Sequence, residues 1–267
     1  MLYLIGLGLN SKKSVSVEGL EAIKESDFVF LENYTSIIDE ELKELEEFYG
    51  KNIILAPRDL VETNSDEILD KAKESVVSFL VVGDIFSATT HHDLLLRAKE
   101  KEIKTKIFHN ASILNAVGSI GFDLYKFGKT TSIVFPDNNW LPKTPYDVIK
   151  VNKNNNMHTL LLLDIKVAEP SKEDLLKGVN KPQPPRFMSV NEAIEVLLRL
   201  EKLHEEEVIS EDTLAIGVAR LTTKTQKVLF GKLKDLKNQD FGKKLHSLII
   251  PSKLSDFELS LLKEYEV

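Results

Sequence analysis

The run from Val76 to Val82 is apolar except for Ser78, and it stops abruptly at Gly83-Asp84. Small residues follow, and Thr90-x-x-Asp93 then carries a helix-start signal. A buried strand, a tight turn and an immediate helix make one unit of an α/β sheet. The turn puts Asp84 at the carboxyl end of the strand, where open α/β sheets bind ligands. Packing does not explain a carboxylate between a glycine and an apolar residue. Asp84 either caps the helix or receives hydroxyls or a positive charge.

The flanking segments repeat this alternation. Strands are predicted at Leu2 to Ile5, Asp27 to Leu31 (ending at Glu32), Asn52 to Ala56 and Lys106 to His109. Helices are predicted at Val17 to Glu25, at Glu40 to Tyr49 with Gly50 as its stop, after a capping box Asn64-x-x-Glu67, and at Thr90 to Lys101. Strands alternating with helices predict a mostly parallel sheet.

The pattern changes after about residue 110. A short helix at Ala111 to Gly118 and a strand at Thr131 to Phe135 are followed by Thr144-Pro145, an N-cap with proline at the first helical position. Thr159 to Lys166 reads as one apolar strand, and residues 167–188 as an exposed loop. Ser189-x-x-Glu192 and Ser255-x-x-Glu258 are capping boxes. Between them, Thr213 to Arg220, Lys227 to Lys232 and His246 to Pro251 are closely spaced strands, so antiparallel neighbours are expected. We therefore expect an α/β domain over residues 1–110 and an α+β domain with a mixed sheet over 111–267.

Composition narrows the function. The net charge of −7 argues against a protein that binds by neutralising nucleic-acid phosphates. The chain has no cysteine, which excludes disulfides, thiolate metal sites and thiol catalysis. No apolar run approaches the ~18 residues of a membrane span. MLYLIGLGLN reads as a first strand rather than a signal peptide. A cytoplasmic protein is expected, with no nucleic-acid or membrane partner.

Several residues are candidates for chemistry. Gly6-x-Gly8 lacks the third glycine of the dinucleotide fingerprint, so it either approaches a ligand or makes a tight turn. Glu32 either binds a ribose or is a solvated strand end. His91, His109, His158 and His246 stand at element boundaries, where active-site residues collect. No pair of them has metal-ligand spacing, and no metal site is expected. Asn110 and Ser112 fall at the domain junction, where they contact a ligand or cap a helix. Lys126, Arg186 and Arg220 are candidate cations for an anionic group.

Taken together, these segments match one family. MLYLIGLGL, YTS at 34–36, VVGDIFSATTHHDL at 81–94 and HNASILNAVG at 109–118 occur in order. YKFGKTTSIVF at 125–135, MHTLLLLDIKV at 157–167, PPRFMSVNEA at 184–193 and HSLI at 246–249 complete the series. Over nearly its whole length the chain resembles the diphthine synthases, S-adenosylmethionine-dependent methyltransferases of the tetrapyrrole-methylase-like superfamily. The resemblance implies the two-domain class III methyltransferase fold, with S-adenosylmethionine in the cleft between the domains and a homodimer as the assembly. It implies elongation factor 2 as protein substrate, methylated on a 3-amino-3-carboxypropyl-histidine in diphthamide biosynthesis. The segment between Val167 and Ser189 looks like the eukaryotic form, which adds four methyl groups to give diphthine methyl ester; the alternative is the trimethylating form.

Carried over by motif position, the cofactor-binding residues are Leu9, Asp84, Ser87, Ser112, Ile113, Leu163, Leu221 and His246. The family usually has proline where Ile85 stands and often glycine where Ser87 stands. A serine is costly at 87 if that position needs a positive φ. No catalytic residue is assigned: His91, His109 and Arg186 are the candidates, with Tyr34 and His158 as further groups to orient or deprotonate. Competing readings are a tetrapyrrole-precursor methyltransferase, a nicotinamide-dependent oxidoreductase resting on Gly6-x-Gly8 and Glu32, and a non-catalytic binding module.

Overall fold

The central segment of the first sheet, Val77–Val81, is buried at every residue, as expected for a strand covered on both faces. A computed structural model of the chain describes residues 1–38, 40–137, 140–167 and 183–267. It divides into two units, Met1–Ala116 and Val117–Val267.

In the first unit, β1 (Leu2–Gly6), β2 (Phe28–Glu32), β3 (Ile53–Ala56), β4 (Val77–Val81) and β5 (Thr105–Phe108) form an all-parallel sheet in the order β3-β2-β4-β1-β5. Helices α1 (Val17–Glu25), α2 (Leu42–Tyr49), α3 (Asp66–Glu74) and α4 (His92–Glu100) separate the strands, and a short α5 (Ile113–Ala116) ends the unit. The Ser16 hydroxyl caps α1 at Gly19 N–H, and Gly50 ends α2 in the left-handed region at φ 67°. Two expected caps do not form. The Asn64 side chain donates to Asp59, and α3 begins after Ser65. The Thr90 hydroxyl donates to Glu62, and α4 begins after His91. In both cases a carboxylate outside the helix captures the polar side chain.

Strand order explains Gly6. β1 runs between β4 and β5, and the turns leaving those two strands meet above its end. A Cβ on Gly6 would lie 2.7 Å from the Gly83 carbonyl oxygen and 3.1 Å from both Asp84 Cα and Asn110 Cβ. The first of these is shorter than any tolerable contact with backbone. Gly6→Ala is therefore expected to cost about 1–3 kcal/mol, read as a lower denaturation midpoint. An unchanged midpoint would show that the two turns part freely.

The second unit is built on β6 (Thr131–Ile133), β7 (Thr159–Leu163), β10 (Leu214–Ala219), β11 (Lys227–Lys232) and β12 (His246–Ile250), in the order β11-β10-β12-β7-β6. β10 is antiparallel to β11 and β12, β12 is antiparallel to β7, and β6 is parallel to β7, so the sheet is mixed. The long expected strand over 159–166 splits at Asp164. Its side chain accepts from Phe135 N–H at 2.9 Å, and its carbonyl accepts from Met188 N–H at 2.9 Å. Beyond it, β8 (Ile165–Lys166) pairs antiparallel with β9 (Arg186–Phe187). The ends of the expected loop are thus a ribbon, and residues 168–182 lie outside the described part.

The helices of this unit are α6 (Thr144–Asn154), α7 (Val190–His204), α8 (Leu233–Leu236) and α9 (Asp256–Leu262). α6 includes Thr144 and is preceded by Lys143, one residue earlier than expected. Both serine capping boxes form, at Ser189–Glu192 and Ser255–Glu258. Val190, Ile194, Leu197 and Leu200 of α7 are fully buried against Leu161, Leu248 and Ile250 of the sheet in one apolar core.

Candidate active site

The turn after β4 is knotted to the turn after β5 by one carboxylate. Asp84 is only 6% exposed. Its Oδ1 accepts from Phe86 N–H and from the Ser87 hydroxyl, both at 3.0 Å. Its Oδ2 accepts from Asn110 N–H at 3.0 Å and pairs with His109 Nδ1 at 2.9 Å. Burial pushes the Asp84 carboxyl up, but the bonds from Asn110, Phe86, His109 and Ser87 outweigh it and hold it below the usual range. The ionised group is acceptor-only with about four lone-pair sites, and protein donors fill them. Asp84 therefore does not cap α4.

Three residues around this knot have a positive φ. Gly83 has φ 89°, Gly8 φ 74° and Ala88, which is not glycine, φ 62°. Ser87 is not in the left-handed region, so serine carries no backbone penalty there. Ile85 is fully buried and fills the core beneath the turn. Gly8 and Gly83 exchange backbone hydrogen bonds of 3.0 and 2.9 Å, so the GLGL segment is a turn locked onto the β4 turn. A Cβ on Gly83 would meet nothing nearer than Leu9 Cδ2 at 3.7 Å, with Ser112 Cβ at 3.9 Å. Leu9, Gly83 and Ser112 thus border one another. Ser112 opens α5, where its hydroxyl accepts from Leu114 N–H and its own N–H donates to Asn115. Asn110 caps no helix: its amide donates to the carbonyls of Gly6 and Ser14. The first-unit residues Leu9, Asp84, Ser87, Ser112 and Ile113 lie at the carboxyl ends of the neighbouring strands β4, β1 and β5.

His91 and Glu32 are core groups. Glu32 is 1% exposed, not solvated, and accepts from Tyr34 N–H, Thr35 N–H and the Thr35 hydroxyl, each at 2.5 Å. Burial pushes its pKa up. His91 is 1% exposed between the rings of Tyr34 and Phe79. Neither ring nitrogen has a hydrogen-bond partner among the described residues, and Glu32 is 3.9 Å away. Burial, then the neighbouring His92, holds its pKa down to about 4, so the ring is neutral. Tyr34 is also buried, and its phenol is pushed upward.

In the second unit, the register brings Leu163, Leu221 and His246 to one end of the sheet. His246 opens β12 opposite Ala219, the last residue of β10, and Leu221 follows two residues on. Ser247 pairs with Leu162, next to Leu163 at the end of β7. The residues flanking Leu221 are non-glycine residues in the left-handed region, Arg220 at φ 47° and Thr222 at φ 71°. The nitrogens of His246 are both engaged. Nε2 donates to the Lys243 carbonyl at 2.9 Å, and Nδ1 accepts from Val190 N–H at 3.4 Å, which fixes a neutral tautomer. Burial lowers its pKa.

The candidate cations are occupied. Arg220 donates to the carbonyls of Thr225, Phe241 and Lys243 and fastens loops to β10. Lys126 pairs with Glu258 at 2.5 Å. Arg186 pairs with Glu192 at 3.0 Å and lies over the Phe135 ring at 3.8 Å. His158 accepts from Ser252 N–H through Nδ1 and donates to Glu258 through Nε2, so it too is neutral and structural. A cavity of about 600 Å³ bordered by Phe122, Lys126, Phe257 and Leu261 includes none of the residues assigned to the cofactor. Among the described residues no helix is long and apolar enough to cross a membrane, and no group of three or more His, Asp or Glu side chains is placed to hold a metal ion.

Sequence logic missed the His109–Asp84 pair. Each residue was visible as a strand-end group, but nothing local joins two positions 25 residues apart.

Comparison with known proteins adds an independent line. The model of the Tetrapyrrole (Corrin/Porphyrin) Methylases matches residues 1–237. The diphthine methyl ester synthase of Dictyostelium discoideum is 46% identical over 269 residues, covering 100% of this chain and 98% of that protein. That of Homo sapiens is 47% identical, covering 100% and 95%. Among solved structures, a protein from Entamoeba histolytica superposes with a TM-score of 0.89 at 45% identity, covering 100% of this chain and 98% of that one. A crystal structure of diphthine synthase gives a TM-score of 0.85 at 35% identity, covering 99% and 95%.

Proposed function

The chain belongs to the tetrapyrrole (corrin/porphyrin) methylase family, and from that premise we propose that it is an S-adenosylmethionine-dependent methyltransferase that makes diphthine methyl ester in diphthamide biosynthesis. The observation that carries this reading is end-to-end identity of 46–47% to the diphthine methyl ester synthases of two distant eukaryotes. The protein substrate is elongation factor 2 bearing a 3-amino-3-carboxypropyl-histidine. The enzyme works as a cytoplasmic homodimer.

The residues present suit S-adenosylmethionine. A Cβ at Gly83 would have its nearest contacts with Leu9, Ala111 and Ser112 at 3.7–3.9 Å, and Ala88, Arg220 and Thr222 hold left-handed backbone in the turns that follow β4 and β10. Because the Asp84 carboxylate is saturated by protein donors, residues 84–87 and 112–113 would hold the cofactor through main-chain groups other than the Phe86, Ser87 and Ser112 N–H groups, which are bonded within the turns. Leu9, Leu163 and Leu221 would supply apolar surface. The cofactor, when bound, supplies an activated methyl group. The protein's task is to align the amine, and then the carboxylate, with it; alignment of this kind contributes several kcal/mol. Arg186 remains a candidate for the substrate carboxylate, at the expense of its pair with Glu192.

Mass spectrometry tests the reading directly. The chain, incubated with S-adenosylmethionine and elongation factor 2 carrying the unmethylated side chain, is expected to add four methyl groups. Three would replace the ester-forming reading with the trimethylating one, and none would overturn the function. A nicotinamide enzyme finds no support, because the Glu32 carboxylate it needs is closed on Tyr34 and Thr35.

A further inference from the structure

We propose that His109 is the general base that deprotonates the substrate amine before each N-methylation, with Asp84 as its positioning residue. The inference rests on the proposed function and goes beyond it by naming a base.

Geometry distinguishes this imidazole from the other three histidines that stand at element boundaries. Its side chain is 69% exposed, whereas His91, His158 and His246 are closed in or use both ring nitrogens. His109 Nδ1 lies 2.9 Å from Asp84 Oδ2. An ionised carboxylate only accepts, so Nδ1 carries the hydrogen, and Nε2 is the nitrogen left to accept a proton. Phe86 packs edge-on to the ring at 6.2 Å, which limits its rotation. The base therefore stands at the carboxyl end of β5, beside the Gly83 turn, with one nitrogen anchored and the other facing outward. The titratable groups packed with it are Asp84 from the β4 turn and His92 of α4, which stacks on the same Phe86 ring.

The proton balance makes the role specific. Nε2 takes one proton from the substrate ammonium, and the exposed imidazolium passes it to water. The freed nitrogen lone pair forms the new N–C bond while the methyl donor's C–S bond breaks, its electron pair staying on sulfur. Three N-methylations require three such removals. Methylation of the carboxylate requires none, because that nucleophile is already an anion. A residue that merely shaped the site would affect both kinds of transfer alike.

The test compares His109→Asn with the wild type, since asparagine keeps a donor to Asp84 but has no basic nitrogen. N-methylation is followed on elongation factor 2 carrying the unmethylated side chain, and O-methylation on the same protein already trimethylated. The variant is expected to lose roughly 100-fold or more in N-methylation, while O-methylation and S-adenosylmethionine affinity stay within about threefold. Equal losses in both reactions, or none in either, would overturn the base assignment while leaving the proposed function intact. A wild type that performs neither reaction would overturn the function itself, and with it the base.

Discussion

Asp84→Ala is expected to destabilise the first unit by about 3–5 kcal/mol and to lower S-adenosylmethionine affinity at least tenfold. The carboxylate is the shared acceptor for Phe86 N–H, Asn110 N–H, the Ser87 hydroxyl and His109. Removing it strands two part-buried backbone donors, each worth about 1–3 kcal/mol when left unmade, together with the Ser87 and His109 donors. It also frees the two turns that carry residues 84–87 and 112–113, the first-unit backbone proposed to hold the cofactor. Asp84→Asn should recover only part of the loss, because one of its two atoms becomes a donor facing donors. Thermal denaturation and calorimetric titration with the cofactor check both effects. Unchanged binding in Asp84→Ala would mean that the knot is structural alone. The pH dependence has a definite sign. The folded-state carboxyl is held below its ordinary value, so its contribution is present above the unfolded pKa. That contribution is lost as the pH falls through the folded pKa.

The second unit has a comparable dependence on Glu258. This residue is 1% exposed and joins three elements. It accepts from Ser255 at the start of α9, from Lys126 in the 124–126 turn, and from His158 just before β7. Burial pushes the carboxyl up, but Lys126, Ser255 and His158 bring it down to about 2 from 4.5. Glu258→Ala would leave a partly buried ammonium and a buried imidazole N–H without their acceptor. We expect a loss of about 3–5 kcal/mol, the range for breaking one side of a buried pair. An unfolding free energy within about 0.5 kcal/mol of wild type, the scale of exposed sites, would sink this account. In the wild type, the Glu258 contribution is complete above its ordinary pKa and fades as the pH falls toward about 2. Acid denaturation of Glu258→Ala should be shallower over that window.

Local patterns were legible without a fold. The strand over Val77–Val81, the α2 stop at Gly50 and the serine caps of α7 and α9 involve partners a few residues apart. The all-parallel first sheet followed from alternation, and the antiparallel β10, β11 and β12 from short connections. The failures were also local predictions, defeated by groups outside the pattern that suggested them. Glu62 and Asp59 took the side chains of Thr90 and Asn64, and the Phe135 N–H took Asp164 out of its strand. Lys126, Arg186 and Arg220 looked available because their acceptors lie elsewhere in the chain or in carbonyls that carry no sequence signal.

The sequence by itself determined the family, the α/β class and the positions of the functional turns, because motif order and hydrophobic period are properties of the chain. It also marked Asp84 as a carboxylate with no packing reason to be there. Only the tertiary structure decided what that carboxylate does. β1 passes between β4 and β5, and a glycine at its end lets their turns close over it. Asp84 thereby reaches His109 and Asn110 rather than its own helix. Such a contact depends on strand order, and strand order is fixed by how the sheet buries its strands, not by any residue's neighbours in sequence.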